Sequence, residues 1–237
     1  MSSAKKQKAA APPPPASKQS FLLIGALAVI GAAILGYLVL RPKAISIPAN
    51  VEVLAADTAG FRGYLLGAED APVEIAEYAD FQCPACATFD VLQFEVIKRQ
   101  LIDPGLVRYR FRDFPIDGAH RHTRVASHAA ACANDQGKFW ELKEALFNTQ
   151  GEWAALGSAA GYLGDLAAKV GVERGSFDAC MQSAKYAGRI EASLKEGNAL
   201  GVGSTPTFLI EGRLYPGAYS SDSLISLVRN VLAAKAK

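Results

Sequence analysis

The run Cys83-Pro84-Ala85-Cys86 constrains this chain most, because it lies where a predicted strand gives way to a predicted helix. Residues 73–78 read VEIAEY, a short β-prone run, and residues 84–101 carry apolar side chains at helical spacing. Residues 107–111 (VRYRF) then alternate apolar and basic residues, as a half-buried strand does. A strand, a helix and a strand joined in this way predict a parallel βαβ unit with the cysteine pair at its first junction.

A long, largely helical stretch follows this unit before β character returns. Helical patterns cover residues 119–134, 138–149, 159–170 and 174–200. Residues 208–210 and 214–215 then predict a hairpin that turns at Glu211-Gly212, and residues 224–234 predict a closing helix. The sequence therefore predicts an α/β fold of order β-α-β, about eighty helical residues, then β-β-α.

The N-terminal part contains twenty uncharged residues, 21–40 (FLLIGALAVIGAAILGYLVL). At a rise of about 1.5 Å per residue, such a helix spans a hydrocarbon core of roughly 30 Å. Residues 1–43 hold six basic residues and no acidic one, whereas the rest of the chain holds 19 basic and 23 acidic residues. This asymmetry predicts a transmembrane anchor with the N-terminus inside and the remainder outside. A cleaved signal peptide is the alternative, although its apolar region usually runs about 7–15 residues.

These patterns divide the chain into four parts. Residues 1–20 are predicted to be a low-complexity cytoplasmic tail, and residues 21–40 are predicted to be the anchor. Residues 41–58 are predicted to be a linker, and residues 59–237 form the exported domain, whose helical insertion covers about 119–200. The nearly balanced total, 25 basic against 23 acidic residues, argues against a nucleic-acid-binding protein.

The cysteine pair has the setting of a reactive thiol. Cys83 is expected at a helix N-terminus, where free N–H groups and the helix dipole lower a thiol pKa from about 8.5 to roughly 3.5–7.5. Pro84 suits the first helical turn, where its missing N–H leaves no hydrogen bond unmade. We therefore predict Cys83 as the attacking thiol and Cys86, one turn further on, as the resolving thiol. A zinc half-site or a structural disulfide is the alternative; zinc needs a second ligand pair at short spacing.

Glu77 lies six residues before Cys83 and shares a strand face with Val73 and Ile75. A carboxyl buried near Cys86 would have a raised pKa and could take the proton when Cys86 attacks a mixed disulfide. We therefore predict Glu77 as a catalytic acid–base group, with a solvent-facing glutamate as the alternative.

The other two cysteines, Cys132 and Cys180, lie in different predicted helices. In an exported protein they are predicted to form a structural disulfide, with two buried thiols or a second redox pair as alternatives. His120, His122 and His128 are predicted to be surface or capping residues, and no metal site is expected.

Three segments resemble DsbA-like thioredoxin-fold disulfide oxidoreductases: residues 65–90 around the cysteine pair, residues 136–140 (QGKFW) and residues 201–208 (GVGSTPTF). The resemblance covers nearly all of residues 59–237. It implies a thioredoxin fold with an inserted helical domain, here preceded by one transmembrane helix. It assigns Pro206 the role of a cis-proline facing the disulfide, and Thr205 a backbone that pairs with an extended substrate. Pro84 and Ala85 complete the expected substrate-binding residues, and Glu77 matches the family's buried acid.

The resemblance implies a function without any cofactor. The domain would introduce disulfides into reduced or unfolded exported proteins, and a quinone-linked membrane partner of the DsbB or vitamin K epoxide reductase type would reoxidise it. It would be held in the bacterial cytoplasmic membrane by a single span, with the catalytic domain on the extracytoplasmic side.

One departure bears on the direction of exchange. The strongest oxidants of the family carry histidine at the position of Ala85. Without that imidazole the Cys83 thiolate is less stabilised, which predicts a lower reduction potential and a less oxidising protein. For this two-electron couple, each 30 mV of reduction potential corresponds to about 1.4 kcal/mol. A reductase or isomerase that uses the same cysteines is therefore the alternative function. A tethered chaperone or binding module is a further alternative.

Overall fold

The computed structural model describes residues 18–40 and 45–237. The chain forms two compact units, Met1–Lys43 and Ala44–Lys237, which we describe separately. Most of the predicted tail over residues 1–20, and residues 41–44 of the predicted linker, lie outside the described residues.

The first unit contains helix α1 (Lys18–Leu40), which is 23 residues long. Large apolar side chains project from it, and Ile24, Val29 and Tyr37 are each about two-thirds exposed within this unit. Among the described residues, no helix combines the length and the hydropathy of a membrane span.

The second unit is built on a five-stranded sheet in the order β1-β3-β2-β4-β5. The strands are β1 (Tyr64–Leu66), β2 (Val73–Ala79), β3 (Val107–Asp113), β4 (Thr207–Ile210) and β5 (Arg213–Pro216). β2 and β3 are parallel, and every other neighbouring pair is antiparallel. The predicted βαβ unit and hairpin are thus present. β1, only three residues long, was not predicted as a strand.

One long helical segment connects β2 to β3. It consists of α3 (Pro84–Phe89), a π turn (Asp90–Phe94), α4 (Glu95–Ile97) and a second π turn (Lys98–Ile102). The chain closes with α11 (Ser221–Lys235), which begins where the Ser220 side chain accepts a hydrogen bond from the Ser223 N–H.

Six helices lie between β3 and β4. They are α5 (Thr123–Asn134), α6 (Phe139–Asn148), α7 (Gln150–Trp153), α8 (Ala160–Lys169), α9 (Arg174–Ser183) and α10 (Ala187–Leu200). The single helix predicted over residues 174–200 is therefore two helices. Ala184 has a φ of 51° and ends α9 in the left-handed conformation, so that α9 and α10 each bury their own apolar side.

Of three buried apolar clusters among the described residues, the two larger ones hold these layers together. One lies between the sheet and the inserted helices and includes Phe81, Phe111 and Trp153. The other packs β2, β3 and β4 against the long helical segment and α11, with Tyr109 and Leu224 among its buried residues. The sulfurs of the cysteine pair belong to the first cluster, so the inserted helices help to form the site.

The predicted linker is largely part of the folded domain, which corrects the boundary at residue 59. Ile47 is only 6% exposed and packs in the first cluster. The Asn50 N–H donates to Glu191 Oε2 at 3.2 Å, and the short helix α2 (Ala55–Thr58) packs on α10. Local periodicity does not predict this packing, because isolated apolar residues in a polar stretch show neither helical nor strand spacing.

Candidate active site

The cysteine pair stands where the chain leaves β2 and enters α3. Cys83 is the N-cap residue in an extended conformation, and Pro84 occupies the first helical position. Both cysteines are free thiols. Cys83 is 7% exposed, Cys86 is fully buried, and Pro84 and Ala85 between them are exposed. The first sulfur thus lies at the surface and the second beneath it.

The two thiols differ strongly in acidity. The hydrogen bond with the Cys86 thiol, together with the backbone N–H groups of Cys86 and Ala85, lowers the pKa of Cys83 to about 5. Burial raises the pKa of Cys86, and the nearby Cys83 sulfur raises it further. At neutral pH Cys83 is therefore a thiolate and Cys86 a neutral thiol, as an attacking and a resolving thiol require.

A turn before β4 lies against Cys83. The Thr205-Pro206 peptide bond is cis, and Cys83 Sγ lies 3.4 Å from the Thr205 carbonyl oxygen, to which the protonated thiol donates. Thr205 and Pro206 are both buried. The structure therefore brings together Cys83, Cys86, Thr205 and Pro206, with Pro84 and Ala85 on the exposed side.

Glu77 is completely buried on β2. Its Oε2 accepts a hydrogen bond of 2.8 Å from the Tyr109 hydroxyl, and its Oε1 has no partner among the described residues. Burial raises the pKa of Glu77, whereas the positive charge of Lys143 lowers it. The charge of Glu77 in turn raises the pKa of Cys86, so an ionised Glu77 keeps the resolving thiol protonated.

Lys143 on α6 is a buried cation that sequence reasoning missed. It is 1% exposed, pairs with the buried Asp90 carboxylate, and lies 3.9 Å from the centre of the Phe94 ring. Burial lowers its pKa to about 8, and the charge of Glu77 opposes that shift. The sequence contains a signal for this burial. Lys143 lies four residues after Phe139 and therefore on the same, apolar face of its helix.

Two glutamines attach the reactive loop, residues 81–83, to the inserted helices, and neither glutamine was predicted as a site residue. Gln150 Nε2 donates to the carbonyl oxygens of Phe81 and Cys83 at 2.8 and 3.0 Å. Gln82 Oε1 accepts from the His122 N–H at 2.7 Å. Residues 81–83 are therefore held by side-chain bonds to residues far away in the sequence, which no local pattern reveals.

The histidines differ in exposure. His128 is fully buried, so the prediction of a surface or capping residue is wrong for it, whereas His122, which is 7% exposed, is the N-cap residue of α5. His120 is partly exposed and its Nδ1 lies 2.8 Å from the buried Asp80 carboxylate. Asp80 also accepts from the Ile116 N–H, which fixes the chain after β3 beside the end of β2.

Cys132 on α5 and Cys180 on α9 are joined in a disulfide, with their Cα atoms 5.8 Å apart. The His128 Nδ1 lies 3.4 Å from Cys132 Sγ. Within the described residues this is the one cluster of histidine, cysteine and acidic side chains with metal-binding spacing, but its two sulfurs are bonded to each other.

Replacement of Gln150 by alanine is expected to loosen the reactive loop. Loss of its two hydrogen bonds should lower the free energy of unfolding by about 1–3 kcal/mol, measured by urea denaturation. Gln100→Ala is the matched control, because Gln100 is exposed and has only a 3.5 Å contact with Arg229. Equal unfolding midpoints for the two variants would contradict a role for Gln150 in holding the loop.

The acidity of Cys83 predicts a defined pH dependence. Alkylation of the reduced protein by iodoacetamide should rise with pH and reach half its maximal rate near pH 5. The folded-state pKa lies below the unfolded value of about 8.5. The thiolate therefore stabilises the reduced fold fully above about pH 8.5, and this contribution is lost as the pH falls through 5. Cys83→Ser should show neither effect; an alkylation midpoint near pH 8.5 would contradict the assigned acidity.

Comparisons with known proteins agree with this geometry. The sequence model of the family described as Thioredoxin matches residues 62–230. BdbD from Bacillus subtilis shares 24% identity over 70% of this chain and 90% of its own, with a TM-score of 0.64. Wolbachia pipientis alpha-DsbA1 shares 25% identity over 70% of this chain and 88% of its own, with a TM-score of 0.63.

Curated relatives fall into two groups. The Na(+)/H(+) antiporter NhaA 3 of Salinispora tropica is 29% identical over 218 residues, which are 87% of this chain and 32% of the antiporter. The probable disulfide bond formation protein D of Bacillus anthracis is 29% identical over 153 residues, covering 63% of this chain and 70% of that protein. This chain thus spans about a third or less of the length of its antiporter relatives.

Proposed function

The chain belongs to the thioredoxin family, and from that premise we propose that it is an extracytoplasmic thiol–disulfide oxidoreductase that introduces disulfides into exported proteins. The observation that carries the proposal is the contrast between its two active-site sulfurs. Cys83 is acidic and lies against the Thr205 carbonyl, while Cys86 is buried and held neutral. This contrast is typical of an active-site disulfide in which a client thiolate attacks the outer sulfur, Cys83 Sγ.

Oxidation of a client proceeds through a mixed disulfide. In the oxidised domain Cys83 and Cys86 are bonded to each other. A client thiolate attacks Cys83 Sγ, the Cys83–Cys86 bond breaks, and the Cys86 sulfur leaves with the electron pair. A second client thiolate then attacks the client sulfur of the mixed disulfide, and Cys83 leaves as a thiolate. The client loses two electrons and gains a disulfide, and the domain retains the two electrons as a reduced pair.

Glu77 is proposed to transfer a proton to and from the Cys86 sulfur. The sulfur that leaves inside the domain has a raised pKa and must be protonated. Glu77 is buried, its charge acts on Cys86, and its own pKa is raised, so its protonated form can supply that proton. In the reverse direction Glu77 takes the proton when Cys86 attacks.

Client binding is proposed at the surface around Cys83. The backbone at Thr205-Pro206 lies beside the outer sulfur, where an extended client segment can pair with it. Pro84 and Ala85 are exposed on the other side and offer apolar contact without charge. Such a surface tolerates many client sequences because backbone contacts dominate.

The location and the redox partner rest on the sequence. The uncharged run 21–40 and the basic residues around it support a single membrane anchor with the domain outside the cytoplasm. A quinone-linked membrane oxidase of the DsbB or vitamin K epoxide reductase type is the proposed electron acceptor. The structural disulfide proposed for Cys132 and Cys180 is consistent with an oxidising compartment.

Ala85 favours a second candidate, a reductase that uses the same pair. An imidazole at this position would stabilise the Cys83 thiolate, and alanine cannot. Sodium–proton exchange is not carried over from the antiporter relatives, because the match covers only a third of their length.

The redox equilibrium of the full chain with glutathione separates the two candidates. A potential near −120 mV, as in strong oxidants, supports oxidation of clients, whereas one near −270 mV, as in thioredoxin, supports reduction. The Cys86→Ser variant should accumulate mixed disulfides with exported proteins through Cys83. If no such adduct forms, and Cys83→Ser behaves identically, thiol–disulfide exchange is not the function.

A further inference from the structure

A groove on the sheet lies apart from the cysteine pair. It has a volume of about 890 Å³ and lies between β3, α10 and the loop of residues 58–63. On β3 the side chains of Val107, Tyr109 and Phe111 are buried in the two apolar clusters, so the alternating arginines face the groove. Among the described residues that line it there is neither a cysteine nor any part of the Thr205-Pro206 turn.

The groove carries an excess of positive charge. Five arginines line it: Arg62, Arg108, Arg110, Arg112 and Arg189. Three glutamates also line it: Glu69, Glu74 and Glu196. The lining therefore holds two more arginines than glutamates, and the charge of the buried Asp113, which interacts with Arg112 and Arg189, offsets part of this excess. Guanidinium groups remain charged at any physiological pH, so this excess is permanent.

Two of the three glutamate carboxylates already pair with arginines of the groove. Glu74 accepts from both Arg108, at 2.7 Å, and Arg110, at 2.9 Å. Glu196 pairs with Arg112 and also accepts from a tyrosine hydroxyl at 2.9 Å. Two carboxylates thus serve three guanidinium groups.

Buried donors remain without acceptors. Arg112 is 4% exposed, and its Nε has no hydrogen-bond partner in the described part of the chain. The Nε of Arg189 is likewise buried and unpaired there. A buried N–H without an acceptor is costly, and natural proteins rarely leave one. These two guanidinium groups therefore keep donor capacity that no described carboxylate takes up, and both groups line the groove.

The loop beside β3 brings a further cation to the groove. Arg62 is exposed and makes no ion pair with any described residue. Its neighbour Gly63 has a φ of 113°, and a Cβ there would lie 2.7 Å from Arg112 Cδ, so glycine permits the close approach of loop and strand. Arg189 stacks on the Phe61 ring at 4.1 Å, which fixes its guanidinium.

We propose that this groove binds a phosphate group. A phosphate group carries the negative charge that an arginine-rich groove attracts, and its tetrahedral oxygens can accept from more guanidinium groups than the two oxygens of a carboxylate can. The group belongs either to a soluble phosphate ester or to a phospholipid headgroup. The proposal is independent of the thiol chemistry.

Calorimetric titration of the full chain in neutral detergent micelles with inorganic phosphate tests the site. We expect saturable binding that Arg62→Gln weakens about tenfold, as loss of a charge-assisted hydrogen bond does. The Arg62→Gln/Arg112→Gln double variant should bind no phosphate. Arg99→Gln is the matched control, because Arg99 lies on the other side of the sheet and is exposed. Thermal unfolding verifies that each variant is folded.

A second titration with water-soluble dihexanoyl phosphatidic acid identifies the source of the phosphate. Affinity equal to that for inorganic phosphate supports a soluble ester, and much tighter, competing binding supports a lipid headgroup. No saturable binding of either probe overturns the proposal. So does equal affinity for wild type and Arg62→Gln, the variant that removes no internal ion pair.

Discussion

Replacement of Cys83 by serine is expected to lower the rate of thiol–disulfide exchange by on the order of 10³-fold or more, the scale on which removal of an enzymatic nucleophile acts. The physical reason is the acidity of this sulfur, whose pKa of about 5 makes it both a thiolate at neutral pH and a good leaving group. A serine hydroxyl has neither property. The measurement is the rate at which the full chain oxidises a reduced peptide with two cysteines.

Two controls make this result specific. Cys86→Ser should also stop turnover but should retain rapid alkylation at Cys83, because the outer sulfur is unchanged. Ser204→Ala alters an exposed residue beside the Thr205-Pro206 turn and should leave the rate within about twofold, as surface substitutions do. Substantial exchange by Cys83→Ser would show that another thiol carries the chemistry.

Replacement of Lys143 by methionine is expected to lower the free energy of unfolding by about 3–5 kcal/mol, the cost of breaking a buried ion pair by removing one partner. The side chain of Asp90 is 3% exposed and would be left without its cation, and Glu77 would lose a favourable charge. The measurement is equilibrium denaturation in urea. The pKa of Glu77 should rise at the same time, because the charge of Lys143 lowers it in the native protein.

Lys138→Met provides the matched control on the same helical region. Lys138 pairs with Glu141 at 2.8 Å, but its side chain is 37% exposed, so its loss should change the free energy of unfolding by less than about 1 kcal/mol. Adding Asp90→Asn to Lys143→Met should recover part of the stability, since it removes the unpaired charge. If Lys143→Met and Lys138→Met unfold at the same urea concentration, the buried pair contributes no more than a surface pair.

Much of the fold was predictable because local patterns determine it. The alternation in VRYRF predicts a strand, and β3 extends over Val107–Asp113. The thioredoxin fold with inserted helices is confirmed. β1 escaped prediction because three residues are too few for alternation to be recognised. The break between α9 and α10 escaped because Ala184 has no residue-type signal for a positive φ.

The candidate active site also contains some residues that local sequence patterns predict and others that they do not. Cys83 and Pro84 were predictable because a helix N-terminus is a local feature of the sequence. The contacts of Lys143 and Gln150 were not, because each reaches residues more than fifty positions away. Sequence periodicity places a side chain on a helix face, but it does not identify what that face meets.

The hydrogen bonds from Gln150 have a consequence for a chain that is still being synthesised. Both active-site cysteines leave the ribosome at least sixty residues before Gln150 and more than a hundred before Pro206. A nascent chain therefore carries its two thiols without the amide that holds their loop or the turn that lies against the outer sulfur. The loop of residues 81–83 and the turn against the outer sulfur therefore reach their arrangement only after the later part of the polypeptide has been made.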